Sequence, residues 1–150
     1  MRYIEAPENA GFRVDEQRLF LAGGISGCPD WQQDIAALLA DTPLALINPR
    51  RKDFPMHDPT AAQAQIEWEF KYLRLATMIL FWFPCETLNP IVLYELGAWS
   101  MSRVPIFVGV HPDYQRRQDV EIQTKLARPK VQIVYSLEAL ATSVKDALRA

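Results

Sequence analysis

The sequence predicts an α/β fold: a doubly wound, flavodoxin/Rossmann-like parallel sheet of five strands with helices on both faces. First, short apolar segments alternate along the chain with longer segments of helical periodicity. Second, the apolar segments lack alternating polar positions, which is typical of parallel strands buried on both faces. Third, the length of 150 residues suits one domain with a substantial core. Because crossovers between parallel strands are right-handed, we expect the strand order 2-1-3-4-5.

The predicted elements form a single domain at residues 18–150, after a polar N-terminal arm at residues 1–17. Asp30 is expected to cap the first helix, because its side chain can accept from an unpaired backbone N–H there. The helix after the third strand is apolar on every side and is expected to be buried. The polar segment 111–128 is expected to be loop with a short helix. The strands are predicted at 18–22, 44–47, 78–83, 104–110 and 131–135, and the helices at 30–39, 60–75, 91–102 and 137–148.

Composition and charge restrict the class of function. With a net charge of -2 and no basic stripe, the chain is not expected to bind nucleic acid. No apolar run reaches the roughly 18 residues that span a membrane, and the first twelve residues lack the apolar core of a secretion signal. We therefore expect a cytoplasmic enzyme or binding domain. Two separate cysteines and two isolated histidines give no metal-ligand spacing, so we expect no metal and no other cofactor.

Glu95 is the main candidate for chemistry. It is the one charged residue in the apolar helix that follows the third strand, and an unpaired buried carboxylate costs on the order of several kcal/mol. The alternative is a structural role, in which Glu95 pairs with Arg50, Arg51 or Arg103. Its place in the first turns of that helix favours a chemical role.

Glu69 is the second candidate. Helical spacing places it between Ile66 and Leu73, within an apolar stripe that also contains Phe70, so it is predicted to point inward. The alternative is that Glu69 tilts outward at the edge of this stripe. Two carboxyl groups at one site suit glycosidic chemistry, because one can attack the sugar carbon while the other protonates the leaving group.

The predicted sheet places a crevice between the carboxyl ends of its first and third strands. Gly23 and Gly24 follow the first strand and precede a helix, so their N–H groups are candidates for binding a phosphate. A tight turn without a ligand is the alternative, because the segment has neither a P-loop nor the dinucleotide-binding glycine spacing. Asn89, in the loop before the helix of Glu95, faces the same crevice.

Two further groups of residues are candidates for substrate binding. Asn48, Arg50 and Arg51 follow the second strand and are candidates for meeting an anionic group, with a solvated basic cluster as the alternative. Trp82 and Phe83 end the third strand and are candidates for stacking on a base, with aromatic core packing as the alternative.

Four sequence segments resemble the nucleoside 2-deoxyribosyltransferase superfamily, which includes the deoxynucleoside 5'-monophosphate N-glycosidases. They are Leu19–Gly24, Asn48–Arg51, Glu69 and Tyr94–Gly97, and the resemblance extends from about residue 18 to 110. It implies that Glu95 is the nucleophile and that Glu69 takes the place of an aspartate that contacts base and sugar. It also implies that the Gly23–Gly24 loop lines the sugar pocket, and that the protein forms homodimers or larger assemblies.

Two positions depart from the family pattern. Phe20 stands where the transferases have a tyrosine that holds the nucleophile, and Asn89 stands where they have an aspartate. Transfer and hydrolysis therefore both remain open, as do nucleoside and 5'-monophosphate substrates, deoxyribose and ribose sugars, and the base. A larger N-glycoside such as a dinucleotide is a third substrate class without specific support. The main alternative is a non-catalytic nucleotide-binding or sensor domain of the same fold.

Overall fold

The computed structural model describes residues 1–150, which form a six-stranded, entirely parallel sheet with five helices. This confirms the predicted doubly wound α/β class. The strands lie in the order β1-β3-β2-β4-β5-β6. In chain order the elements are β1 (Arg2–Glu5), β2 (Arg18–Gly23), α1 (Trp31–Leu38), β3 (Ala45–Asn48), α2 (Ala61–Leu75), β4 (Met78–Phe83), α3 (Pro90–Ser100), β5 (Ile106–Val110), α4 (Arg117–Ala127), β6 (Ile133–Val134) and α5 (Leu137–Arg149).

The sixth strand, β1, comes from the segment predicted to be a polar arm. Arg2–Glu5 pair in parallel with Ala45–Asn48, so β1 extends the sheet beside β3. The five predicted strands keep the predicted order among themselves. The sequence did not reveal β1 because an edge strand of four residues buries little; only Ile4 is fully enclosed.

Helices on the two faces of the sheet enclose separate cores. Helices α2, α3 and α4 cover one face through Trp68, Tyr72, Val92, Leu96 and Val120. Helices α1 and α5 cover the other through residues that include Trp31, Ile35, Leu140 and Val144. Strands β2 and β4 are therefore followed by helices on opposite faces of the sheet. This divergence leaves a crevice between the carboxyl ends of the two strands, as predicted.

Two predicted elements differ in extent from those observed. The segment 111–128 contains the eleven-residue helix α4, whose inward face is limited to Val120 and Thr124; so narrow an apolar face gives a weak periodic signal. Strand β6 has two residues rather than five and forms the other edge of the sheet. The predicted cap of α1 is confirmed, because Asp30 Oδ1 accepts a hydrogen bond from the backbone N–H of Gln33 at 3.3 Å.

The prediction that α3 is buried on all sides was wrong. Val92 and Leu96 pack on the sheet, but Ile91, Tyr94 and Met101 are 63%, 77% and 82% exposed. A helix that packs on one face of a sheet buries only the side that contacts the sheet. The outer side of α3 is therefore an exposed apolar surface. None of the helices is both long enough and apolar enough to span a membrane.

Candidate active site

A cleft of about 360 Å³ opens at the point where the chain diverges from β2 and β4. Its walls are the loop after β2, the loop before α3, and the facing sides of α2 and α3. The volume is within the range of small-molecule sites. Both predicted carboxyl residues line it, together with Phe20, Ala22, Gly23, Gly24, Ile25, Ser26, Pro49, Thr87, Leu88, Asn89, Pro90, Ile91 and Val92.

Glu95 extends from the second turn of α3 into this cleft. Its carboxyl group makes neither a hydrogen bond nor an ion pair, so the structural alternative of a pair with Arg50, Arg51 or Arg103 does not occur. Burial, followed by the charge of Glu69, raises the pKa of Glu95 from 4.5 to about 7. Near neutral pH this carboxyl group therefore readily gains and loses a proton.

Glu69 lies on α2 and faces the same cleft. Burial raises its pKa, and the Gln65 amide opposes this shift by donating to Glu69 Oε1 at 2.8 Å. The same Gln65 Nε2 also donates to the Pro49 carbonyl at 2.7 Å, which ties α2 to the end of β3. Gln65 thereby orients the Glu69 carboxyl group.

The stripe used to predict the orientation of Glu69 was wrong, although Glu69 does point inward. Ile66 and Phe70 are 65% and 58% exposed. The buried side of α2 carries Trp68 and Tyr72, whose rings stack at a centroid distance of 4.2 Å. The N-terminal segment sets this rotation, because Trp68 Nε1 donates to the Glu8 carbonyl and the Tyr72 hydroxyl accepts from the Ala10 N–H.

Gly23 and Gly24 allow the two loops of the cleft to meet. A Cβ on Gly23 would lie 2.2 Å from the Trp31 ring and 2.6 Å from the Trp82 carbonyl oxygen. A Cβ on Gly24 would lie 2.5 Å from Asn89 Oδ1. Real Cβ atoms do not approach other atoms so closely, so close packing alone requires both glycines. Both also line the cleft, as predicted.

Asn89 forms the start of α3 in a left-handed conformation, with φ of 52° and ψ of 56°. Asparagine tolerates this region better than most residues, and Pro90 suits the first helical position that follows. The Asn89 side chain is buried, accepting from the Thr87 hydroxyl at 2.5 Å and donating to the Thr87 carbonyl at 2.9 Å. Asn89 therefore lines the cleft while its amide holds the loop that precedes Glu95.

Asn48 and Arg50 line a neighbouring polar depression rather than the cleft. The Asn48 side chain donates to the Tyr3 hydroxyl at 2.6 Å and accepts from the Arg50 N–H at 2.9 Å. The Arg50 guanidinium donates to the carbonyls of Cys28 and Pro29 and to Gln32 Oε1. These bonds hold the loop after β2 and use most of the polar atoms of the two side chains, whose binding of an anion stays a prediction.

Trp82 and Phe83 do not reach the cleft. The Trp82 ring lies in the core beneath α1 and α5, and Phe83 lies in the core on the opposite face. They are 5% and 0% exposed, so the alternative of aromatic core packing describes both. Consecutive strand residues point to opposite faces, which explains why the two rings enter separate cores.

Several cleft residues were not identified from the sequence. Ile25, Ser26, Thr87 and Ile91 carry no chemical signature and line the site only because of loop geometry. Gln65, which contacts Glu69 without lining the cleft, could have been identified from its position one helical turn before Glu69, a spacing at which side chains can form a hydrogen bond. No group of three or more His, Cys, Asp or Glu side chains is placed to hold a metal ion.

The fold and cleft define an α/β protein with a doubly wound sheet and a small-molecule site at the switch point of that sheet. Two carboxyl groups line this site. The family model described as nucleoside 2-deoxyribosyltransferase like matches residues 16–114, and the chain belongs to this family. The matched segment contains every residue that lines the cleft. The resemblance inferred from the sequence is confirmed. No curated protein matches the chain.

Proposed function

We propose that this protein cleaves or transfers the N-glycosidic bond of a (deoxy)nucleoside or its 5'-monophosphate, with Glu95 as nucleophile and Glu69 as acid. The observation that carries the proposal is the pair itself: two half-buried carboxyl groups in one cleft, close enough for the charge of one to raise the pKa of the other. Membership of the family supports the substrate class.

The proposed reaction has two displacement steps at the anomeric carbon. A Glu95 carboxylate oxygen forms a bond to C1', the C1'–N bond breaks, and the departing base takes a proton from Glu69. A glycosyl ester on Glu95 remains. Water or a second base then attacks C1', Glu69 takes the proton of the attacking group, and the Glu95 carboxylate is released.

The two titrations are coupled, because burial and then the charge of Glu69 raise the pKa of Glu95 to about 7. Part of the Glu95 population is therefore charged near neutral pH, as a nucleophile requires. The reactive form needs the proton on Glu69 and a charged Glu95. A ring nitrogen of the substrate base beside Glu69 would accept a hydrogen bond from its protonated form and so favour this arrangement.

A specific observation favours a second candidate, the non-catalytic nucleotide-binding domain. Phe20 lines the cleft where the family resemblance places a tyrosine, and no other group donates a hydrogen bond to Glu95. A nucleophile without such a partner is less well oriented and, with a pKa of about 7, only partly ionised at neutral pH.

We also propose that a second copy of the chain covers the cleft. Ile66 and Phe70 of α2, Ile91 and Tyr94 of α3, and Met101 directly after α3 are apolar side chains exposed on the same side of the sheet. Ile91 is also part of the cleft wall. A self-association through this surface would remove it from water and narrow the entrance to the cleft.

Release of free base from a panel of deoxynucleosides, ribonucleosides and their 5'-monophosphates tests the proposal. Each is measured with and without a second base as acceptor, in the native protein and in Glu95→Gln, Glu69→Gln and Glu67→Gln. We expect Glu95→Gln to abolish release and Glu69→Gln to slow it by about 10²–10⁴-fold. Glu67 is exposed on α2 and serves as the control. If nothing is cleaved but a nucleotide raises the melting temperature of native and Glu95→Gln protein equally, the binding-domain alternative replaces the enzyme.

A further inference from the structure

A second compartment of about 300 Å³ adjoins the cleft at Glu69. The two spaces share Ile25, Ser26, Pro49 and Glu69 as common walls, but Glu95 lines the cleft alone. Glu69 therefore lies at the boundary, with Glu95 on the cleft side of it. The compartment lies between the segment that follows β3 and α2, and it is open to solvent at Met56.

The order of these groups indicates which part of a substrate lies in the compartment. In a displacement at C1' the leaving base departs on the side opposite the attacking carboxylate, and the acid must be within reach of that base. The space beyond Glu69 fits this position. Its walls include Ile25, Phe54 and Met56, which are apolar as the faces of a heteroaromatic ring require.

Arg51 is the one cationic side chain of the compartment, and it also lines the neighbouring polar depression with Arg50 and Lys52. Its guanidinium makes no hydrogen bond or ion pair, and its Nε is buried without an acceptor. It lies 5.4 Å from the centroid of the Phe54 ring, which holds it at the compartment wall. Buried unpaired N–H groups are rare in proteins, so this arrangement suggests a ligand acceptor.

Gln65 provides a second unpartnered atom in the same compartment. Its Nε2 donates to two acceptors, the Pro49 carbonyl and Glu69 Oε1, so this amide orientation leaves Oε1 without a donor. Only four buried side-chain polar atoms in the protein lack a partner, and two of them belong to Arg51 and Gln65. A planar ligand carrying both acceptors and an N–H donor would suit this pair.

We propose that this compartment binds the leaving base and that Arg51 selects a 6-oxopurine over a 6-aminopurine. The inference rests on the proposed function, since it assigns the base side of the same site. A guanidinium donates to O6 and N7 of a 6-oxopurine together, whereas the 6-amino group of adenine presents N–H donors to it. A phosphate fits less well, because the adjacent Glu69 carboxylate repels it and no second cation lines the compartment.

The test compares deoxyinosine with deoxyadenosine, which differ at position 6 and in the hydrogen on N1, and repeats the comparison with their 5'-monophosphates. We expect the native protein to favour deoxyinosine in kcat/KM by about 5- to 150-fold. Arg51→Met and Arg51→Lys should both bring the ratio close to one. Methionine removes the charge and the donors, and lysine keeps the charge but lacks the planar pair of N–H donors that binds O6 and N7 together. Lys52→Met removes the same charge one residue away, outside the compartment, and should leave the ratio unchanged.

Calorimetric titration of hypoxanthine and adenine into Glu95→Gln, with and without Arg51→Met, separates this inference from the proposed function. If base is released but Arg51→Met changes neither the ratio nor hypoxanthine affinity, the inference is overturned and the function stands. If no substrate is cleaved but Arg51→Met weakens hypoxanthine binding, the function fails and the compartment assignment stands. Equal loss of turnover for both monophosphates, with both nucleosides unaffected, would make Arg51 a phosphate ligand and overturn the inference. Absence of both cleavage and hypoxanthine binding would overturn both.

Discussion

The charge of Glu69 raises the pKa of Glu95 across the cleft, although the two residues belong to different helices. Burial is the larger cause of the shift, and Glu69 adds to it. Neither effect is offset at Glu95 by a hydrogen-bond donor or a cation. The folded chain thus retains an unfavourable arrangement of charge at the site where chemistry is proposed, as expected for functional carboxyl groups.

Substitution of Glu95 by glutamine should stabilise the protein at alkaline pH. A carboxyl group with a raised pKa in the folded state binds its proton more tightly when folded. Its contribution is fully present below pH 4.5, its ordinary value, and is lost as the pH rises through about 7. We therefore expect Glu95→Gln to match native stability near pH 4.5 and to exceed it by about 2–3 kcal/mol at pH 8.5.

Denaturant unfolding of both proteins between pH 4.5 and 8.5 measures this difference. Glu67→Gln is the control, because Glu67 is an exposed glutamate of α2 that lies outside the cleft. Parallel curves for native and Glu95→Gln protein would contradict the raised pKa.

Substitution of Glu69 by glutamine should lower the pKa of Glu95. The charge of Glu69 is the second cause of the shift, so its removal brings the value below about 7. Burial, the first cause, persists, so the pKa should stay above 4.5. A carbon-13 NMR titration of the glutamate carboxyl groups measures it without requiring turnover. A pKa that stays at about 7 in Glu69→Gln would show that the two groups are not coupled.

Substitution of Gly24 by alanine should destabilise the protein and reduce base release. The added Cβ would lie 2.5 Å from Asn89 Oδ1 and 2.8 Å from Pro84 Cγ, so the loop that begins α3 must move. Overpacking of this kind costs about 1–3 kcal/mol, and movement of Asn89 displaces the helix that carries Glu95. Thermal melting and the base-release assay measure both effects. Gly11→Ala is the matched control, because its Cβ would meet nothing within 4 Å; equal losses in both variants would rule out the packing explanation.

Tyr94→Glu should dissociate the proposed assembly of two or more copies. Tyr94 is 77% exposed on the apolar outer side of α3, and a buried carboxylate at a contact between copies would lack a partner. Sedimentation velocity should show a native oligomer and a smaller Tyr94→Glu species. Val14→Glu places the same charge on a fully exposed apolar residue elsewhere and should not change the sedimentation coefficient. A native protein that sediments as a monomer would overturn the proposal.

Local sequence patterns predicted much of the fold. The apolar strand segments, the Asp30 cap and the order of five strands all follow from rules that act on neighbouring residues or on chain chirality. The same rules place Glu95 at the crevice, because the carboxyl ends of adjacent parallel strands open at one edge. Strand β1 escaped prediction since its stability comes from pairing with β3 and from little burial of its own.

The sequence by itself thus determined the doubly wound class, the position of the cleft and the place of Glu95 beside it. Only the tertiary structure decided which way each side chain faces. The contacts of Trp68 and Tyr72 with the N-terminal segment set the rotation of α2, so Ile66 and Phe70 point outward. Bonds to the β2–α1 loop and the start of α1 occupy Arg50, whereas its neighbour Arg51 makes no hydrogen bond or ion pair and lines the compartment at Glu69. Such outcomes depend on contacts between residues distant in the chain, which local periodicity does not record.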